Sequence, residues 1–385
     1  MKTIKDAADK LIHYIESENY KGYDPYDGLH SYLFSIPFLG TNKKIRFLGQ
    51  QFIKRFPLNV RPLLGIHKGL NPVTAGLCLQ AYGNMWESGL YDKKSLQEKI
   101  NFLIEYLDKT SSKKFHGRCW GYDFDWQARY ADIPAFEPTV VATGFITNAL
   151  YRLYQQTGNI TAKEWVISAC DFVLSDLNKS FDTEGDFCFS YSPFDKEQVF
   201  NASMKGARLL AQGYDLTKQE NFKTQSRSAV AWVMKHQRSD GAWIYSNSKA
   251  GTWIDNYHTG YNLDCLEAYT KLCNDNTFQE QLNKGLEFYK LNFFEKSGQP
   301  KFYDKEAWPA DCTAAGQSIL TLCRFNEIEM AKKCAEWTIQ NMQDQKGYFY
   351  FRKFSNRITK TSFMRWSNAW MAAALTEITT ADTRK

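Results

Sequence analysis

Six times along this chain a polar amphipathic helix pattern is followed by an aromatic loop, and then by a second helix pattern that begins with small residues. The second members begin near Pro72, Pro138, Asn201, Tyr257, Asp311 and Ser367, so the unit recurs roughly every 50–66 residues. One helical hairpin cannot bury its own apolar face. It must stack on neighbours, and six hairpins can close into a ring with no exposed end. The pattern predicts an all-α fold, an (α/α)6 toroid of six helical hairpins with an extra amino-terminal helix. No Pro/Gly/Ser-rich linker divides the repeats, so residues 1–385 read as one domain, with 1–40 forming a helix and a loop over the barrel mouth.

The outer helices are expected over 94–108, 162–177, 219–236, 278–294 and 327–343, where apolar residues recur at three- and four-residue steps among charges. The inner helices are less charged, with Gly76, Gly144, Gly206, Gly260 and Gly316 near their starts. A helical Gly costs about 1 kcal/mol relative to Ala, so these positions imply close approach of neighbouring helices. Asn71-Pro72 reads as a cap followed by Pro in the first turn, and Glu137-Pro138 as a second helix start with Pro in that position.

Aromatic residues make up 16% of the chain, and many lie between helices rather than within them. A core absorbs part of that number, and a carbohydrate- or lipid-contacting cleft would absorb the rest. Net charge is only +6, without a basic tail or nucleic-acid motif, so no nucleic-acid partner is expected. One local exception stands out: Lys43, Lys44, Arg46, Lys54, Arg55 and Arg61 interleave with Phe47, Leu48, Phe52, Ile53 and Phe56. This is either a solvated helix face or a contact for an anionic membrane surface or acidic polymer. The nine cysteines form no CxxC or regular framework. They read as reduced thiols at apolar helix positions, which fits a cytoplasmic location. No stretch approaches the roughly 18 apolar residues of a membrane span.

In a ring of this kind the inner-helix N-termini and the loops before them share one end, so polar residues there are the functional candidates. Trp120, Tyr122, Asp123, Asp125, Trp126, Gln127 and Arg129 crowd carboxylates, an amide, a cation and aromatics into one loop. Aromatic faces stack on sugar rings, while Asp, Arg and Gln read hydroxyls. Trp253, Asp255, Tyr257 and His258 form a second set, with His258 as a general base that Asp255 would orient. Trp308 and Asp311 form a third, where Asp311 is also a natural helix cap. Arg365 and Trp366 form a fourth, with Arg365 suited to bidentate capture of a carboxylate or phosphate. The segment from Tyr23 to His30 is either a cover over the same mouth or only a turn.

These residues allow three sugar reactions. Hydrolysis needs two carboxyl groups facing across the funnel, for which Asp125 with Asp255 or Asp311 is the pair. Lyase or C5-epimerase chemistry needs a base such as His258 and a cation such as Arg129 or Arg365. A terpenoid cyclase or prenyltransferase-like enzyme is a second alternative, which the aromatic load supports and the lack of DxDD, DDxxD or a zinc set weighs against. No metal and no cofactor is expected. The element from Gln237 to Trp243 is similar to the Gln-Trp repeat of terpenoid-cyclase toroids, where it is structural.

The segments GYDPYDGLHS (22–31), RPLLGIHKGLNP (61–72), WGYDFDWQAR (120–129), WIDNYHTGYNLDCLEAY (253–269) and MRWSNAWM (364–371), with the Asp311 region, give the chain a resemblance to toroid proteins encoded in bacterial exopolysaccharide, capsule and lipopolysaccharide loci. That resemblance implies the (α/α)6 barrel of six-hairpin glycosidases and prenyltransferase-like proteins. It also implies an oligosaccharide, polysaccharide or lipid-linked sugar as ligand, with peripheral contact to membrane or polysaccharide assembly machinery. A non-catalytic glycan-binding or scaffold role is the alternative, because fold does not establish reaction.

Overall fold

The computed structural model describes residues 3–127 and 132–383. In chain order the helices begin with α1 (Ile4–Ser17), the short α2 (Pro37–Thr41) and α3 (Lys43–Arg55). Then come α4 (Pro72–Ser88), α5 (Lys93–Thr110), α6 (Val140–Thr157), α7 (Ile160–Ser175), α8 (Phe200–Thr217) and α9 (Glu220–Lys235). The chain ends with α10 (Asn256–Cys273), α11 (Gln279–Asn292), α12 (Cys312–Arg324), α13 (Ile328–Met342) and α14 (Trp370–Thr383).

The even-numbered helices from α4 to α14 form the inner ring. Each packs on the next, and α14 packs back on α4, so the ring closes. The inner-helix glycines explain how tightly. A Cβ on Gly76 would lie 3.1 Å from Ile146 Cα on α6, one on Gly144 2.9 Å from Lys205 Cβ on α8, and one on Gly316 3.1 Å from the Trp370 carbonyl carbon on α14. Helices that approach this closely leave no room for a side chain at the crossing, which is the demand read from the sequence.

The amino-terminal helix takes the sixth outer position. After α11, the turn at Gly298 abuts α13, where an added Cβ would stand 2.5 Å from Lys333 O. After α13, the turn at Gly347 abuts α1 in the same way, 2.4 Å from Lys10 O. The buried stripe Ala7, Ala8, Leu11, Ile12 and Ile15 then packs α1 against α14 and α13. The helix added in the sequence reading thus makes the twelfth member, and the two ends of the chain complete one hairpin. Gln237 and Gln343 lock equivalent corners: each donates to the carbonyl of the turn glycine, and then to Gln281 O or Ala7 O on the next outer helix. At the first of these corners Trp243 is buried with its ring against Gly285 of α11, and packs as a structural residue.

Caps set the inner-helix starts. Asn71 accepts from Val73 N with Pro72 in the first turn, as expected. Pro138 instead lies before the helix, because the Thr139 hydroxyl accepts from Ala142 N and α6 starts at Val140, two residues later. Small antiparallel pairs decorate the mouth: β1 (Trp126–Gln127) with β2 (Asp132–Ile133), β3 (Lys179–Phe181) with β4 (Phe187–Phe189), and a three-stranded sheet of β5 (Ala310–Asp311), β6 (Tyr350–Lys353) and β7 (Ile358–Ser362). No helix among the described residues is long and apolar enough to cross a membrane.

Candidate active site

The N-terminal ends of the inner helices surround a cavity of about 170 Å³, which continues outward into a vestibule of about 390 Å³. Tyr26, Trp126, Tyr191, Tyr245, Trp253 and Tyr257 line both chambers. The inner chamber adds Tyr122, Phe124, Asn201, His258, Tyr261, Arg365 and Trp366. The rings combine tilted, edge-on and stacked contacts. Trp126 stands 5.2 Å from Tyr191, Tyr257 lies 5.8 Å edge-on to Trp366, and Trp253 stacks on Tyr245 at 4.4 Å. Aromatic pairs prefer such tilted and offset geometries, which fix the walls of the cavity.

His258 is the imidazole of the inner chamber. Asp255 caps α10 by accepting from His258 N at 3.0 Å, and its Oδ2 lies 2.7 Å from His258 Nδ1. Trp253 Nε1 donates to the same oxygen at 2.8 Å. A carboxylate can only accept, so the Nδ1 proton points at Asp255 and Nε2 of the neutral ring is left with its lone pair. The ring is held between Tyr257 and Tyr245, with centroids 4.3 and 4.6 Å away, and keeps a fifth of its side-chain surface open. This is the geometry of an oriented general base.

Six tyrosines face the cavity: Tyr26, Tyr122, Tyr191, Tyr245, Tyr257 and Tyr261. Burial pushes each phenol above its usual range, with Tyr26 raised to about 12. They therefore stay protonated near neutral pH and act as donors. Two further donors have no partner among the described residues: Asn201 Nδ2 and Trp366 Nε1 are buried and unsatisfied at the cavity wall. A buried donor left unmade is costly, so these two are natural contacts for a ligand oxygen.

Arg365 and Trp366 reach the cavity from a π-helix, Met364–Ala369, that leads into α14. Such wide turns recur at functional sites. Arg365 makes the bidentate carboxylate contact expected of it, but to Asp24, through Nε at 2.6 Å and Nη2 at 2.8 Å. Its guanidinium lies over Tyr122 and beside Trp366, and the buried Asp24 raises its pKa further. Asp24 also accepts from Tyr26 N, and Asp27 is held by Arg61 at 2.7 Å, so the Tyr23–His30 segment is tied over the mouth with Tyr26 in the cavity wall.

The other expected residues divide. Tyr122, Trp126, Trp253, Tyr257, His258, Arg365 and Trp366 line the inner chamber, and Gln127 and Asp255 line the vestibule. Asp311 is fully buried below it: it caps α12 and accepts from Arg352 Nε at 2.6 Å, so Arg352 is the group that reaches the vestibule. Asp125 is directed away from the cavity, with Oδ1 on Ala135 N and Oδ2 3.8 Å from Arg46. Trp120 belongs to the core, its Nε1 donating to Leu107 O against Trp165. Asp123 lies beneath the chamber, bonded to Asn71, and burial raises it to about 6. Trp308 packs on Trp337 away from both chambers. Arg129 lies outside the described residues.

Several wall residues carry no local signal in the sequence. Tyr191 and Tyr245 sit in aromatic loops where nothing local sets a wall residue apart from a core one, and Asn201 looks like any helix start. Glu197 joins the vestibule with its carboxyl raised by burial and by Asp195. No cluster of three or more His, Cys, Asp or Glu suited to a metal occurs among the described residues.

The fold and its mouth define the class: a closed (α/α)6 toroid with an aromatic funnel. Its overall shape is that of several solved carbohydrate enzymes. A sugar epimerase from a ruminal bacterium superposes with a TM-score of 0.64 over 98% of both chains at 11% identity. Cellobiose 2-epimerase from Bacillus thermoamylovorans gives 0.63 at 11% identity, over 83% of this chain and 90% of that one. A family GH76 α-mannanase from Bacteroides thetaiotaomicron gives 0.61 at 14% identity, over 80% and 86%. Protein-family models and curated proteins give no match.

Proposed function

We propose that the protein is a carbohydrate-active enzyme that moves a proton at a sugar carbon, as in an epimerase, an isomerase or a lyase. His258 is the base, and Asp255 fixes its tautomer. The observation that carries this reading is the Asp255–His258 pair, with Nε2 left unbonded in an aromatic chamber. The neutral imidazole takes a proton from the carbon next to a carbonyl or carboxylate. The imidazolium that forms is stabilised by Asp255, and the charge that develops on oxygen meets the Trp366 indole N–H, the Asn201 amide or a phenol. Aromatic walls around neutral donors suit a pyranose ring, apolar on its faces and polar at its rim.

The superposing structures include three sugar epimerases and a D-mannose isomerase beside four proteins of glycoside hydrolase families, so they support sugar chemistry in this funnel, and the choice of proton transfer rests on the Asp255–His258 geometry. Hydrolysis has less support. It needs two carboxyl groups about 5–10 Å apart across the bond; Asp125, Asp195, Asp255 and Asp311 are all committed to protein partners, which among the described residues leaves Glu197 in the vestibule as a single candidate acid. The resemblance of segments 22–31, 120–129 and 253–269 to surface-polysaccharide proteins would make the substrate a unit of such a polymer, or its oligosaccharide or lipid-linked precursor.

The test is solvent exchange. Incubation of the wild-type protein with mannose, glucose, cellobiose and glucuronate-terminated oligosaccharides in D2O is expected to place deuterium on the carbon beside the carbonyl or carboxylate. His258→Ala is expected to abolish it. Release of new reducing ends without carbon-bound deuterium would replace this reading with hydrolysis.

A further inference from the structure

The outward face of α3 differs from every other surface of the barrel. Leu48 and Phe52 are 65% and 62% exposed on successive turns, and Phe38, Leu58 and Leu63 stand 71%, 71% and 78% exposed on either side. Among the described residues, seven of the fifteen exposed large hydrophobic side chains fall between Tyr32 and Leu63, in less than a tenth of the chain's length. Lys44 and Arg55 are exposed on the same helical stripe as Leu48 and Phe52, four residues before and three after. A merely solvated face would be polar, and this one is not.

The charge on the segment is of one sign. Between Asp27 and Glu87 there is no carboxylate side chain, while Lys43, Lys44, Arg46, Lys54, Arg55, Arg61 and Lys68 are all present. Arg46, Arg61 and Lys68 pair with carboxylates elsewhere, and Lys54 reaches the Tyr26 hydroxyl. Lys43, Lys44 and Arg55 have no carboxylate partner among the described residues. Aliphatic and aromatic side chains flanked by unpaired cations fit the boundary between anionic headgroups and acyl chains. Nucleic acid would not call for exposed Leu48, Leu58 and Leu63.

The inward face of the same helix meets the cavity. Gln50 donates to Tyr26 O at 2.7 Å, Phe47, Gln51 and Lys54 line the vestibule, and Arg55 stands at its rim between the two faces. We propose that α3, with the exposed residues Phe38, Leu58 and Leu63 beside it, is an in-plane docking surface for an anionic lipid bilayer, and that docking holds the mouth of the cavity at the headgroups. The inference stands independently of the reaction.

Co-sedimentation of the full chain with large vesicles tests it, using phosphatidylcholine alone and phosphatidylcholine mixed with phosphatidylglycerol. The protein is expected to sediment with the mixed vesicles and not with the neutral ones, and to be released by salt. The double variant Leu48→Ser with Phe52→Ser is expected to lose at least tenfold in partitioning. Lys44→Glu, fully on the surface, is expected to lose about fivefold or more while its circular dichroism is unchanged. Absence of binding to mixed vesicles, or binding unchanged in both variants, overturns the proposal. So does a wild-type dimer in light scattering that Leu48→Ser with Phe52→Ser converts to monomer, because the face would then belong to a second copy.

Discussion

Lys205 offers a sharp test of how the barrel interior is built. It lies on α8 with no exposed surface, its Nζ 3.8 and 3.7 Å from the ring centroids of Phe145 and Tyr261 and without a hydrogen-bond acceptor. Burial pushes its amine down to about 7, from 10.5 in an exposed lysine. The unfolded chain therefore binds a proton between those values that the folded chain does not. Stability contributed by this site rises with pH through the window from about 7 to 10.5, by about 1.4 kcal/mol per unit. Below about 7 both states are protonated, and the cost is constant at roughly 4–5 kcal/mol. The two cation–π contacts offset on the order of 2 kcal/mol of that. Lys205→Met keeps an unbranched side chain that packs well on rings, and is expected to raise stability at pH 7 by roughly 1–3 kcal/mol. Urea unfolding of both proteins from pH 7 to pH 10 measures it, and the difference between the two curves isolates Lys205 from the tyrosines. That difference is expected to shrink as pH rises. A variant less stable than wild type at every pH, with a constant difference, would refute the reasoning.

Three other perturbations have definite directions. Asp24→Asn removes the carboxylate from a buried guanidinium and is expected to cost about 3–5 kcal/mol in thermal or denaturant unfolding. It also frees the segment that carries Tyr26. Gly121→Ala would bring a Cβ to 2.1 Å from Glu137 O in a closed loop, so a fall of more than about 4 kcal/mol, or failure to fold, is expected in the same assay. Asp255→Asn lets the His258 tautomer invert and is expected to lower kcat for deuterium exchange about 10²–10⁴-fold with a much smaller change in KM. A merely structural Asp255 would lower the melting temperature and leave the kcat of the folded fraction intact.

The ring was legible because its cause is periodic. Hairpin spacing, amphipathic outer helices and a Gly near the start of five inner helices all recur in the chain, and each reports a packing demand that the neighbouring helix creates. The role of α1 was not legible. Its apolar stripe looks like that of any outer helix, and only the turn at Gly347 against Lys10 shows where it belongs. Within the site, His258 with Asp255 could be read because a cap and its third residue are local in sequence. The partner of Arg365 could not, because Asp24 lies 341 residues away. Dense loops misled in one respect. Trp120, Asp123 and Asp125 share a segment with Tyr122, Phe124 and Trp126, yet successive residues of an extended loop point in different directions, and it is Tyr122, Phe124 and Trp126 that reach the inner chamber.

The most direct measurement is a crystal of the protein soaked with mannose, cellobiose and a uronic-acid oligosaccharide. A pyranose ring is expected against the Trp126, Trp253 and Tyr257 walls, with one carbon within about 3.5 Å of His258 Nε2 and an oxygen on Trp366 Nε1 or Asn201 Nδ2. Sugar density at any other surface with the chamber empty, or a ring held beyond reach of His258, would contradict it.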